Sequence, residues 1–597
     1  MTRSLLSADA RNRTPRQGLW CFLTAGLGLA LLLVAPVQAD APHAPQDVTR
    51  TASASSPLAL FLKHEHKPWL HLKLIGKTRT DHPLFALIVG NPLHTREAGG
   101  ESRLVILLTP ALDDSGQAVR DFAVHLIQQW STEPALMQHV LLVFFLGRGY
   151  RPQAQTRAIF HWPNDLPNPS AVYAQNLLLA QTPTTQAWLK LFVRWHPDLV
   201  TEITISRKAA WRDGFLFGGT PTALLPTELG QLAKQLTNEA QAIWGHADLA
   251  VGTWMQTRNP ENPAWGVQTL SASPRHILGY SAFANVPAFH LVCNDRNPDH
   301  HKSLLMTRMI SNWITLLARK GTLLLRAEHH IATEIRFHYG AFRKRFPIYT
   351  KLERSPAGFL LRTYAYTETL SPISGTVWTR YEWNLPRNYL VPRYSRLSGR
   401  DPMPELTGYM IPAGFPQVIS ILRMHGIQTK RLLAPLKLEV QTDRLSHIQW
   451  GRSKQGPDRD IDSFNAKPEI RYFVYPAGSV FVPIRQPLAR LIYLLLDIQS
   501  PLNLYRLGYF SAIFKPLHIR PQGALETLAR TLLRHHPHLA RRFLVRIMHS
   551  GFSGNPSARL DFFYRYLFQD PISPSLYPVD RLPRALPQTH ALAASSR

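Results

Sequence analysis

The hydrophobic pattern changes character twice along this chain. From about residue 100 to 320, short continuous apolar runs alternate with amphipathic stretches. Leu104-Val105-Ile106-Leu107-Leu108 and Val140 to Phe145 are unbroken runs, suited to strands buried on both faces. Between them, Ala118 to Trp130 places Val119, Phe122, Ala123, Leu126, Ile127 and Trp130 on one helical face. Thr184 to Trp195 repeats the helical spacing through Trp188, Leu191, Phe192 and Trp195, and Leu199 to Ile205 reads as the next strand. A further helix is predicted from Thr227, a short buried strand over Phe289 to Val292, and a strongly amphipathic helix over Ser303 to Arg319. Alternation of this kind predicts a layered α/β domain ending near residue 335.

The period then switches to two. Leu436-Lys437-Leu438-Glu439-Val440 alternates as a half-buried strand does, and Tyr472 to Pro483 reads as two short strands around a Pro476-Ala477-Gly478 turn. From Gln486 the helical pattern returns, over Leu488 to Leu496 and Leu525 to Leu533. The expected organisation is a targeting segment over 1–39, a linker over 40–57, an α/β domain over 58–335, a β-rich domain over 336–485 and a helical region over 486–597.

The targeting segment rests on Arg3, Arg11, Arg13 and Arg16, followed by an apolar stretch from Leu19 to Val34 and a small-residue site at Val37-Gln38-Ala39. The apolar stretch falls short of the ~20 residues that a spanning helix needs. A cleaved signal peptide is therefore expected, with an exported, periplasmic or secreted product. Only two cysteines occur, Cys21 and Cys293, so cleavage leaves one thiol and no intramolecular disulfide. The net charge of +28 favours anionic partners. For an exported protein these are anionic lipid, cell-wall polymer or acidic glycan rather than nucleic acid.

Several motifs together resemble the zinc carboxypeptidase (metallocarboxypeptidase) superfamily, closest to its large exported bacterial members. They are the strand–loop–helix of Leu104 to Trp130 with Ser115-Gly116, the helix opened by Thr182-Pro183-Thr184, Trp195-His196-Pro197-Asp198-Leu199, and Ser273-Pro274-Arg275 to Gly279-Tyr280. Farther along come Asn388 to Pro392, His425-Gly426-Ile427, Pro476-Ala477-Gly478, Val482 to Pro487, Ala558 to Tyr564 and Tyr577-Pro578-Val579. The resemblance implies a mixed-sheet α/β/α carboxypeptidase-like domain, followed by a β-rich region and a helical C-terminal region. It also implies a zinc site built from a His-x-x-Glu pair and a distant histidine, an Asn-Arg pair gripping the substrate carboxylate, and a catalytic glutamate.

The positions equivalent to that site hold other residues. Pro110 stands for the first histidine, Asp113 for the zinc-binding glutamate and Thr204 for the second histidine. Ala174-Gln175 stands for the Asn-Arg pair and Cys293 for the catalytic glutamate. Proline has no ligating side chain and a threonine hydroxyl is a poor zinc ligand. No zinc, other cofactor or catalytic residue is therefore expected. Cys293 reads as a small buried hydrophobe, and Asp113 as a helix cap or an altered ligand.

Three readings stand open. The first is a pseudopeptidase that binds peptide or cell-wall material. The second is an active metallocarboxypeptidase with displaced ligands, His82 or His161 converging on Asp113. The third is a basic protein that binds anionic envelope polymers.

Overall fold

Apolar runs bounded by turns become the central sheet. Its strands are β1 (Leu70–Lys77), β2 (Pro83–Val89), β3 (Leu104–Thr109), β4 (Val140–Arg148), β5 (Leu199–Ser206), β6 (Phe215–Gly219), β7 (Val251–Thr253) and, later in the chain, β10 (Ala288–Asn294). All six residues of β3 and all seven of β10 are buried, as expected for strands covered on both faces. The protein is described from a computed structural model. Described are residues 67–79, 81–90, 103–112, 117–130, 139–148, 176–206, 211–247, 249, 251–259, 262–269, 273–294, 300–346, 350–399, 402–451, 456–514, 522–567, 575–583 and 592–594. The targeting segment, the linker, Asp113, Ala174-Gln175 and His161 lie outside them.

The sheet order is β1-β2-β4-β3-β5-β10-β6-β7. β4, β3, β5 and β10 run parallel, while β2 and β6 join them antiparallel. One face carries α1 (Gln117–Trp130), α3 (Thr227–His246) and α5 (His300–Phe337); the other carries α2 (Pro183–Trp195) and α4 (Ile277–Phe283). The mixed-sheet α/β/α architecture is thus observed.

Local signals account for the helix ends. Thr182 caps α2 through a reciprocal bond pair with Thr185, with Pro183 at the first turn, and His196 ends the helix in the left-handed region. Helix α5 runs on to Phe337, well past the expected end at Arg319. Leu324, Ala327, Ile331 and Ile335 keep the buried stripe going at helical spacing. Gly321 does not break it, because it lies against Leu104 in the sheet.

Helix α6 (Tyr339–Arg345) leads into a region of strands. Strands β8 (Gln256–Thr257), β9 (Val267–Gln268), β11 (Thr350–Arg354) and β14 (Arg393–Gly399) form a small sheet, and β12 (Phe359–Leu370) pairs with β13 (Val377–Val391) as a long hairpin. A seven-stranded sheet follows, ordered β18-β17-β20-β15-β19-β16-β21. Its members are β15 (Gly408–Ile411), β16 (Lys430–Leu432), β17 (Leu436–Trp450), β18 (Ile461–Tyr475), β19 (Val480–Pro483), β20 (Asp580–Leu582) and β21 (Leu592–Ala594), with α7 (Pro416–Met424) after β15. Gly408 lets β15 approach β19 closely, since a Cβ there would lie 2.3 Å from the Val482 carbonyl oxygen.

The region from 486 is helical in part, through α8 (Ala489–Leu496), α9 (Gln522–His535), α10 (Pro537–Ile547), α11 (Ser550–Ser553) and α12 (Pro556–Leu567). It differs from the expectation in returning β20 and β21 to the seven-stranded sheet. β20 brings Arg581 to a buried carboxylate: Nε and Nη2 donate to Asp497 at 2.9 and 2.6 Å, and Tyr409 Oη donates to the same group at 2.8 Å. Tyr475 Oη donates to the neighbouring Asp580.

Candidate functional site

The parallel strands β4, β3, β5 and β10 end at one edge of the central sheet, the side where open α/β sheets receive ligands. Pro110 and Thr204 both lie there. Register places Thr109 beside Glu202, His290 beside Glu202, and Val292 beside Thr204. Side chains of residues paired across parallel strands project to the same face. Thr109, Glu202, Thr204, His290 and Val292 therefore share one surface.

The centre of that surface is a hydroxyl–imidazole pair. Thr204 Oγ1 lies 2.8 Å from His290 Nε2, and both residues are 9% exposed. Burial pushes His290 down to about 3, so its ring is neutral at physiological pH. Trp254 meets that ring edge-on with centroids 5.5 Å apart. Trp211 adjoins Trp254 at 6.2 Å and Phe359 at 5.7 Å. Phe359 and Tyr389 come from the base of the β12–β13 hairpin, which packs on the cluster of Trp211, Met255, Val267 and Val292. An aromatic wall thus stands beside the neutral polar pair.

Pro110 is buried just after β3, and its carbonyl oxygen accepts from the Thr109 hydroxyl at 2.9 Å. Cys293 requires a correction. It pairs with Ile205 and Phe215, one residue out of phase with the Val292–Thr204 pair. Its side chain therefore projects to the opposite face, in phase with Phe289, whose ring lies 4.8 Å from that of Trp313 on α5. Cys293 and Thr204 cannot line one site, and the residue beside Thr204 is Val292. His82 is exposed in the turn between β1 and β2, with β2 and β4 separating it from β3.

The zinc ion implied by the resemblance does not fit these residues. Pro110 offers no side-chain donor, and Thr204 offers a neutral hydroxyl already bonded to His290. Catalytic zinc sites use three protein donors, and no group of three His, Cys, Asp or Glu residues with that capacity occurs among the described residues. A hydroxyl 2.8 Å from an imidazole has the spacing of a nucleophile and its base. An imidazole with a pKa near 3 is a weak proton acceptor at neutral pH, so the pair is suited to hydrogen bonding rather than proton abstraction.

Reasoning from the sequence used His290 only as framework around Cys293. The available signal was a lone polar residue inside the apolar run Ala288-Phe289-His290-Leu291-Val292. Glu202, two residues before Thr204, carries the same signal on β5.

The opposite edge of the sheet gathers other motif residues into an interlock. His425 Nε2 donates to the Leu178 carbonyl at 3.0 Å, which leaves Nδ1 to accept from Tyr280 Oη at 2.8 Å. Gly426 adopts φ +73, and a Cβ there would lie 2.8 Å from Val193. Arg490 Nη1 donates to the Leu224 and Ala282 carbonyls, and Asn285 Nδ2 to the Pro487 carbonyl. A cavity of about 240 Å³ opens among these elements, lined by Phe192, Val286, Ile331 and Leu488.

No family model matches the chain, and no curated protein matches it. Among solved structures, the chain is similar to a metallo-carboxypeptidase from Burkholderia cenocepacia, at 13% identity and TM-score 0.32 over 44% of this chain and 68% of that one. It is similar to a metallo-carboxypeptidase from Pseudomonas aeruginosa at 11% identity and TM-score 0.30, over 45% and 68%. It is also similar to thrombin activatable fibrinolysis inhibitor, at 12% identity and TM-score 0.29, over 47% and 79%. Two of the three bear the name of the superfamily that the motifs resemble.

Proposed function

We propose that this chain is an exported, catalytically silent carboxypeptidase-like protein that binds peptide or peptide-bearing cell-wall material at the C-terminal edge of its central sheet. The observation that carries the reading is the Thr204–His290 pair. Where the resemblance calls for a metal-binding histidine, there is an uncharged hydroxyl held by a neutral, buried imidazole. Pro110 supports it by offering no donor at the companion position. Trp254, Phe359 and Tyr389, half-buried over the core residue Trp211, supply apolar surface beside hydrogen-bonding groups, the mixture that ligand pockets use.

The test combines three measurements on the purified protein: metal content, release of C-terminal residues from peptides, and calorimetric binding of cell-wall peptides. Binding without hydrolysis or stoichiometric zinc is expected, weakened at least about tenfold by Trp254→Ala, in line with loss of a central aromatic anchor. One zinc per chain with peptide hydrolysis would overturn the reading. So would peptide affinity that is unchanged in both Trp254→Ala and Thr204→Val.

A further inference from the structure

Helices α9 to α12 pack on one another around Ala529, Leu532, Leu539 and Phe563, with Phe543 against that cluster. Phe543 and Leu539 are four residues apart on α10, so they mark its inward face. The outward face carries Leu544 and Val545 and is continued by the C-cap residue Met548; the three are 61%, 62% and 84% exposed. At 100° per residue these three fall within one arc opposite Leu539, and Arg541 lies at the middle of that arc. Arg542 flanks it and is exposed, whereas Arg546 falls on the side of Leu539 and lies 5.5 Å from the centre of the Phe552 ring. Arg541 and Arg542 form no ion pair among the described residues.

Charge surrounds this apolar arc. Residues 522–567 hold seven arginines and no lysine against two acids, Glu526 and Asp561. An apolar strip on a cationic helix face matches the boundary between anionic headgroups and acyl chains. Nucleic acid would engage the arginines but has no use for Leu544, Val545 and Met548 at the centre of the face. A folded protein partner would need a complementary acidic groove, whereas a bilayer accepts a convex face by deforming around it.

We propose that the outer face of α10 docks the protein on an anionic lipid bilayer, with Leu544, Val545 and Met548 entering the interface and Arg541 and Arg542 resting among the headgroups. This contact uses none of the residues of the Thr204–His290 site.

The experiment is co-sedimentation of the full chain, freed of residues 1–39, with vesicles of mixed phosphatidylglycerol and phosphatidylcholine, and with pure phosphatidylcholine as reference. Binding to the mixed vesicles, weakened by salt and nearly absent on the reference, is expected. Leu544→Ser/Val545→Ser/Met548→Ser should weaken it at least about tenfold with the thermal midpoint unchanged, because these side chains are exposed. Should the triple variant misfold, Met548→Ser alone carries the test, with a smaller loss. Arg541→Gln/Arg542→Gln should weaken binding and flatten its salt dependence. Unchanged vesicle binding in the apolar variants would overturn the proposal. Two other outcomes would also overturn it: duplex DNA bound more tightly than the vesicles and lost only in the arginine variant, or a solution dimer dispersed by the triple variant.

Discussion

Each edge of the central sheet buries a histidine, and the two are treated differently. His425 is fully buried, with both ring nitrogens engaged by groups from separate parts of the chain, Tyr280 and Leu178. His290 sits at the strand ends, shares a side-chain hydrogen bond with Thr204, and faces a tryptophan. A buried polar group whose bonds are all internal has no capacity left for a ligand and serves to specify the packing. A neutral pair at the mouth of a sheet keeps capacity for one. The comparison fits architecture at the His425 edge and the proposed binding at the His290 edge, although both rings are desolvated.

The largest expected effect lies in the buried network that extends the architectural region into the seven-stranded sheet. Asp497→Ala leaves Arg581 buried without its bidentate partner, and should cost about 3–5 kcal/mol in chemical denaturation. Next comes the pair of histidine variants. His425→Ala strands Tyr280 Oη and the Leu178 carbonyl and should cost about 2–4 kcal/mol, whereas His290→Ala should cost about 1 kcal/mol and mainly weaken peptide binding. The reverse order in denaturation and calorimetry would break the comparison.

Titration sharpens it further. Burial pushes His425 down to about 4 and His290 down to about 3, against an ordinary 6.5. The unfolded chain then binds the extra protons, so this stability is complete above pH 6.5 and is lost as pH falls through 4 and then 3. Asp580 has the opposite sign. Burial pushes its carboxyl up to about 7 from 3.8, so its contribution is complete below 3.8 and is lost as pH rises through 7. The opposing slopes flatten the profile between about pH 4 and 6.5. Asp580→Asn should steepen acid destabilisation there by up to about 1.4 kcal/mol per pH unit, read from denaturation midpoints across pH.

The smallest effect on binding belongs to Cys293. Cys293→Ser places a hydroxyl at a buried position on the face of β10 that also carries Phe289 and should cost about 1–2 kcal/mol, with peptide affinity unchanged. A loss of affinity would mean that the faces of β10 had been assigned wrongly.

Much of the fold was legible because burial has a period. Continuous apolar runs became β3, β4 and β10, and stripes at helical spacing became α1 and α2, each close to its expected bounds, while α3 begins at the expected Thr227. The N-terminus of α2 was legible in Thr182-Pro183-Thr184. The hairpin β12–β13 was not, because its outer residues, among them Leu370, Ile373 and Trp378, are apolar and exposed, so its pattern does not separate two faces. Within the site, Thr204 and Pro110 could be named from motif spacing. The phase of Cys293 could not, because a shift of one residue along a strand moves a side chain to the other face without altering local composition.

The sequence by itself determined the strands and helices, the basic charge, and the lack of metal-binding side chains at 110 and 204. Each depends on residue type and short-range periodicity. Only the tertiary structure decided which in-phase residues meet. It set β10 beside β5 so that His290 reaches Thr204 across 86 residues, turned Cys293 to the helical layer, and carried β20 from the far end of the chain to hold Arg581 against Asp497. Strand pairing and register are long-range choices, made by the burial of whole faces, and no local stretch of sequence encodes its partner.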